Sequence, residues 1–278
     1  MKLYRTHQGI VVEQAAQFYL IKDHSWDSFI NDDHLIEKIN GLIPLLDPSE
    51  GAREAIIEGL LPPVESQEIW ASGVTYFRSK LGRQEESKDS GGATFYELVY
   101  HADRPELFMK ATGQRAVGHG GLVRIRKDST WDVPEPELTL VISSTGKIIG
   151  YTIGNDMSSR SIEGENPLYL PQAKIYDGSA AVGPCILVTD KPLSPDTQIS
   201  LIIKRASQVV FEDTIPISQI KRKFQELVDY LYAEYTFPHG SLLMTGTGIV
   251  PDSSFTLASG DEVSISITGI GTLTNTVA

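Results

Sequence analysis

Trp131-Asp132-Val133-Pro134-Glu135-Pro136-Glu137-Leu138-Thr139-Leu140-Val141-Ile142 is an extended stretch carrying two carboxylates two residues apart. Side chains at i and i+2 of a strand share a face, so Glu135 and Glu137 stand side by side and repel unless a cation lies between them. Ser144-Thr145-Gly146-Lys147 follows as a turn signal between two strand-like runs. A two-residue Thr145-Gly146 loop places Asp156 opposite Glu135 on the returning strand, and a bulge would move this register by one. Three oxygen donors with room for water suit Mg²⁺, Mn²⁺ or Ca²⁺ better than zinc. Read alone, the Glu-x-Glu pair is equally a solvated acidic strand face. Asp132 has the parity of Pro134 and Pro136 and is expected to face away.

The surrounding texture is that of a β-rich protein. Short β-branched or apolar runs, separated by turn residues, occupy Glu68–Val74, Leu122–Arg126, Leu138–Ser143, Ile148–Gly154, Ala181–Thr189, Ile199–Lys204 and Glu262–Ile270. One helix is expected over Ile217–Tyr235, with Ile220, Phe224, Leu227, Val228 and Leu231 on one face and Ser218 near its start as a cap. The polar run Gly82–Gly92 reads as a mobile loop. Before Pro62-Pro63 the pattern turns helical, with Leu35, Ile36, Ile39 and Ile43 at helical spacing and a short helix over Ala52–Leu61. The fold class is therefore α+β and β-rich. A small N-terminal α+β domain over residues 1–65 precedes a catalytic domain over residues 66–278.

With 24 basic and 36 acidic residues, the chain carries a net charge of −12. That charge disfavours nucleic acid and anionic membranes as partners. An acidic substrate then needs local positive charge, which a bound cation supplies. No apolar run reaches the roughly 18 residues that span a bilayer. The N-terminus lacks the apolar core of a signal peptide, so a cytoplasmic enzyme is the simplest expectation. The single cysteine, Cys185, excludes an intrachain disulfide and sits in an apolar strand-like run, where a core role is expected.

Lys174, in Asn166-Pro167-Leu168-Tyr169-Leu170-Pro171-Gln172-Ala173-Lys174, is either an exposed surface lysine or, beside a divalent cation, a base or a holder of a substrate carboxylate. Thr245-Gly246-Thr247-Gly248 lets backbone approach a ligand closely and offers hydroxyls to carboxylate oxygens. No lysine follows these glycines as a phosphate loop requires. His119 and His239 lie in loops and are read as structural.

Taken in order, Ala71-Ser72-Gly73-Val74-Thr75-Tyr76, Pro105-Glu106-Leu107-Phe108-Met109-Lys110, Glu135-Pro136-Glu137, Gly154-Asn155-Asp156-Met157-Ser158-Ser159-Arg160, the Lys174 segment and Thr245-Gly246-Thr247-Gly248 resemble the fumarylacetoacetate hydrolase superfamily. Arg104-Pro105-Glu106-Leu107-Phe108, Val117-Gly118-His119-Gly120 and Glu165–Lys174 resemble its branch of 2-keto-3-deoxy-D-arabinonate dehydratases. The resemblance implies a mixed β-roll core, a homodimer or homotetramer, and a metal held by Glu135, Glu137 and Asp156. It implies substrate contact from Lys174 and Thr247, with Tyr76 and Thr245 as further candidates. Hydrolase branches carry His and Glu on their lid, and Phe77–Glu86 has no His, which favours the dehydratase.

The implied reaction removes water from a 2-keto-3-deoxy sugar acid to give 2,5-dioxopentanoate through a metal-stabilised enolate. Lys174 serves as base or enolate partner, and Glu85, Glu86 and Glu97 are candidate lid acids. The same enolate chemistry serves a C–C hydrolase or decarboxylase acting on an acylpyruvate, diketo acid or oxaloacetate. A non-catalytic ligand-binding protein on the same fold is the third reading.

Overall fold

The computed structural model of the chain describes residues 1–86 and 93–278, the side chains of 83–95 excepted. Two β-sheets carry the architecture. A ten-stranded mixed sheet runs Gln17–Ile21, Gly9–Gln14, Lys2–Thr6, Ala180–Leu187, Ile148–Asp156, Pro136–Ile142, Ser241–Met244, Glu68–Gly73, Glu106–Thr112, with Leu60–Leu61 pairing off Lys2–Thr6. Ser241–Met244 runs parallel to Glu68–Gly73, while its partner on the other side, Pro136–Ile142, is antiparallel. The second sheet has five strands, ordered Gln208–Pro216, Gln198–Arg205, Glu262–Ile267, Gly271–Val277, Leu122–Val123.

The large sheet is covered on both faces, which explains why every residue of Pro136–Ile142 is buried, Glu137 and Thr139 included. One face, through Leu138, Leu140 and Ile153, packs with Leu201, Val263 and Ile265 of the second sheet. Cys185 belongs to this core, and its burial pushes the thiol up to about 12, so it is a packing residue. The other face, through Val141, Leu242 and Ile69, packs against Phe29, Leu35 and Ile39. The first 65 residues therefore cover the sheet, and three of their strands extend it, because Lys2–Thr6 pairs with Ala180–Leu187. No break in the sheet coincides with Pro62-Pro63.

Several local expectations shift. The helix expected over Ile217–Tyr235 is a 3-10 turn at Ile217–Gln219 followed by a helix over Phe224–Tyr232. Ile220 is extended and bridges Tyr76, so the apolar spacing reflects two elements packing into one core. Ser218 is not the cap; the Lys223 backbone N–H donates to Glu226 instead. Helical backbone over Phe77–Glu86 replaces the first part of the expected Gly82–Gly92 loop, and the rest, residues 87–92, lies outside the described residues. The 208–216 strand was not expected. It forms an exposed ribbon with Gln198–Arg205, so its side chains lack the half-buried alternation that marks a strand.

The hairpin between Pro136–Ile142 and Ile148–Asp156 keeps the expected register by a different route. Ser143 N–H donates to Lys147 O at 2.9 Å, which makes a three-residue loop with Gly146 at φ +85°. A bulge between Ile148 and Gly150 then restores the pairing, with Gly154 opposite Glu137. The N-terminal segment grips this turn: the Asp33 carboxylate accepts from Ser143 Oγ at 2.6 Å and from Thr145 Oγ1 at 2.8 Å. Among the described residues no helix is long and apolar enough to cross a membrane.

Candidate metal centre and active site

At the end of this hairpin, Glu135, Glu137 and Asp156 each offer a carboxylate oxygen, all within 4.8 Å of one another. They are 4%, 1% and 1% exposed, which rules out a solvated acidic face. Asp132 is buried but stands outside the trio, because Asp132–Val133 is a separate short strand that pairs with Ser158–Ser159, so strand parity with Glu135 does not apply. The backbone closes the gap between strands: Asp156 N–H donates to Glu135 O at 3.0 Å.

Buried carboxylates require compensation, and each of the three has it. Arg160 Nη2 lies 2.8 Å from Glu135 Oε1. Lys110 Nζ lies 2.6 Å from Asp156 Oδ1. Lys174 Nζ bridges the pair, 2.6 Å from Glu135 Oε2 and 3.1 Å from Asp156 Oδ2. Glu137 instead accepts the Gly246 backbone N–H on Oε2 at 2.6 Å. Gly246 has φ +92°, and a Cβ there would lie 2.0 Å from Thr75 Oγ1, so both its conformation and its close approach require glycine.

The electrostatics differ across the trio. Burial pushes the Glu137 carboxyl well above the usual range, and the nearby Asp156 and Glu135 charges add to the effect. Burial also pushes Asp156 up, but the Lys110 and Lys174 ammoniums outweigh it and hold that carboxyl below the usual range. Lys174 is fully buried at the end of the short helix Leu170–Lys174, so the surface-lysine reading is overturned.

The trio lines a cavity of about 10 Å³, shared with Ser72, Gly73, Phe108, Arg160 and Thr247, with room for one small ion or water. A wider hollow of about 590 Å³ near Tyr96, Pro105 and Leu168 contains none of these carboxylates. Hard oxygen donors, mutual proximity and enclosure all fit a divalent cation such as Mg²⁺.

The other expected site residues separate. Thr247 lines the cavity. Thr245 does not, because its hydroxyl donates to Leu138 O at 2.8 Å and locks the strand end. Tyr76 is buried beside the cavity rather than in its lining. Burial and then the Glu137 charge push its phenol above the usual range. Glu97 is drawn to Lys80 at 2.9 Å and His101 at 3.0 Å and does not line the cavity. The side chains of Glu85 and Glu86 lie outside the described residues. His119 accepts the Thr274 backbone N–H at 3.1 Å, a structural role. Lys110 and Arg160 were quoted in sequence without a role. The only signal at Lys110 was a lysine closing an apolar run, and at Arg160 an arginine four residues past Asp156.

A mixed β-rich fold whose buried carboxylate trio faces buried lysines defines an enzyme-type centre that could hold a divalent metal ion. Residues 77–278 match the family described as fumarylacetoacetate (FAA) hydrolase, C-terminal. The chain belongs to this family. It is 49% identical over 216 residues to a probable 2-keto-3-deoxyxylonate dehydratase of Haloferax volcanii, covering 77% of this chain and 73% of that protein. It is 45% identical over 216 residues to the 2-dehydro-3-deoxy-D-arabinonate dehydratase of Saccharolobus solfataricus, covering 76% and 72%. A solved structure of 2-keto-3-deoxy-D-arabinonate dehydratase, complexed with magnesium and 2,5-dioxopentanoate, superposes with a TM-score of 0.84 at 36% identity, covering 100% of this chain and 98% of that one.

Proposed function

We propose that this chain is a Mg²⁺-dependent hydro-lyase that dehydrates a five-carbon 2-keto-3-deoxy sugar acid, such as 2-keto-3-deoxy-D-arabinonate, to 2,5-dioxopentanoate. The observation that carries this reading is the approach of Glu135, Glu137 and Asp156 to within 4.8 Å in an enclosed cavity beside Lys174. The dehydratase relatives set the reaction class.

When bound, the cation supplies Lewis-acid polarisation of the substrate's 2-keto group, which acidifies the protons on C3. Glu135, Glu137 and Asp156 hold it. Lys174 steadies the resulting enolate as the ammonium, or, once it has given up its own proton to solvent, takes the C3 proton. Thr247 offers its hydroxyl to the substrate carboxylate. The C4 hydroxyl then leaves the enolate with one proton, so that the net loss from C3 and C4 is one water. The C3=C4 alkene so formed loses a proton from C5 and gains one at C3, and the resulting C4=C5 enol passes its hydroxyl proton to C4, which leaves the aldehyde at C5 and the carbon chain intact.

The assembly is proposed to be a cytoplasmic homodimer or homotetramer, which light scattering reads. The reaction is tested by offering a panel of 2-keto-3-deoxy acids with Mg²⁺ and assaying both aldehyde and pyruvate. Dehydration yields one five-carbon product, whereas hydrolysis or decarboxylation yields two fragments. Chelator should abolish turnover and Mg²⁺ should restore it; full activity in chelator sinks the reading.

A further inference from the structure

Lys110 is fully buried and touches three groups at once. Its ammonium lies 2.6 Å from Asp156 Oδ1, donates to the Met157 carbonyl at 2.9 Å, and donates to the Lys174 carbonyl. A lysine that only balanced charge would need the carboxylate alone. Two neutral carbonyls consume two of its three N–H donors, one directly after the strand that ends in Asp156 and one on Lys174 itself. Met157 follows Asp156 at the end of its strand. Lys174 closes the helix Leu170–Lys174, where terminal carbonyls lack intrahelical partners.

The backbone aims Lys110 at this point. Between Glu68–Gly73 and Glu106–Thr112, Ile69 pairs with Ala111 and Trp70 with Met109, so Lys110 is the extra residue of a β-bulge. This strand ends the large sheet, and bulges on edge strands re-aim side chains in this way.

We infer that Lys110 is a positioning residue that fixes the Asp156 carboxylate and the Lys174 helix end relative to each other. The metal ligand and the proposed base are then held in one geometry by a third side chain. The inference rests on the proposed function, because it assigns Asp156 to the metal and Lys174 to the substrate.

The sign of one measurement separates positioning from charge balance. Removing a positive charge beside a cation site tightens Mg²⁺ if charge alone matters. It weakens Mg²⁺ if the charge held a ligand in place. Lys110→Met and Lys110→Gln are compared with the parent chain by thermal denaturation in chelator, Mg²⁺ titration calorimetry and steady-state kinetics at saturating Mg²⁺. We expect both variants to fold in chelator and to bind Mg²⁺ about 10–100-fold more weakly. kcat should fall further than KM rises, and Gln should recover part of the loss through its amide donors. Tighter or unchanged Mg²⁺ binding in both variants overturns the inference, whatever happens to kcat. So does failure of both variants to fold with and without Mg²⁺, which makes Lys110 a folding residue only. If the parent chain itself neither binds Mg²⁺ nor turns over a 2-keto-3-deoxy acid, the proposed function fails first.

Discussion

Asp156 and Glu135 are joined twice: by a backbone hydrogen bond of 3.0 Å across the hairpin, and by the Lys174 ammonium bridging their carboxylates at 2.6 and 3.1 Å. Strand pairing brings the two carboxylates together, and a side chain from a distant helix completes the arrangement.

Glu137 illustrates a conflict between stability and function. Its carboxylate is buried with two like charges nearby and, among the described residues, accepts from one donor, the Gly246 amide. In chelator, Glu137→Gln should raise the melting temperature or leave it unchanged, because it removes like-charge repulsion. The same substitution should abolish the Mg²⁺-induced rise in melting temperature. A wild-type Mg²⁺ response in the variant excludes Glu137 as a ligand.

Lys174→Ala should lower kcat about 10²–10⁴-fold, the usual contribution of a positioned proton-transfer group. KM should change much less. A loss confined to KM reassigns Lys174 to holding substrate.

Gly246→Ala forces an L side chain into φ +92° and against Thr75 Oγ1. Strain alone costs about 1–3 kcal/mol. The displaced amide also leaves Glu137, so melting temperature and Mg²⁺ affinity should fall together. A variant with wild-type affinity dissociates this loop from the metal centre.

Asp261 sets a pH dependence away from the site. Burial pushes its carboxyl up, but the Arg205 guanidinium, at 2.7 Å to each oxygen, and the Ala258 N–H hold it below the usual range. The folded chain then binds this proton less readily than the unfolded chain. The stabilisation is complete above the unfolded carboxyl value of about 3.9 and is lost as pH falls through the lower folded value. At neutral pH, Asp261→Asn should cost about 1–3 kcal/mol, as for a charged hydrogen-bond partner. Denaturation across pH 7 to 3 should show the gap to the parent chain closing only below pH about 4. A gap independent of pH removes the ionic account.

Glu135 and Glu137 were legible as same-face neighbours because strand alternation is a local property of the backbone. Asp156 was legible because a hairpin folds nearby sequence back on itself, even though the actual turn is one residue longer and a bulge corrects it. Lys174 and Thr247 followed from the motif order of the resemblance, and the β-rich class from short apolar runs broken by turn residues. Only the tertiary structure showed that Thr245 is spent on Leu138, that residues 1–65 extend and cover the central sheet, and that Lys110 and Arg160 neutralise the carboxylates. Those contacts join distant segments or pass through a bulge, and no local periodicity encodes them. They are imposed by the cost of burying charge, which is met only when the whole chain has closed around the site.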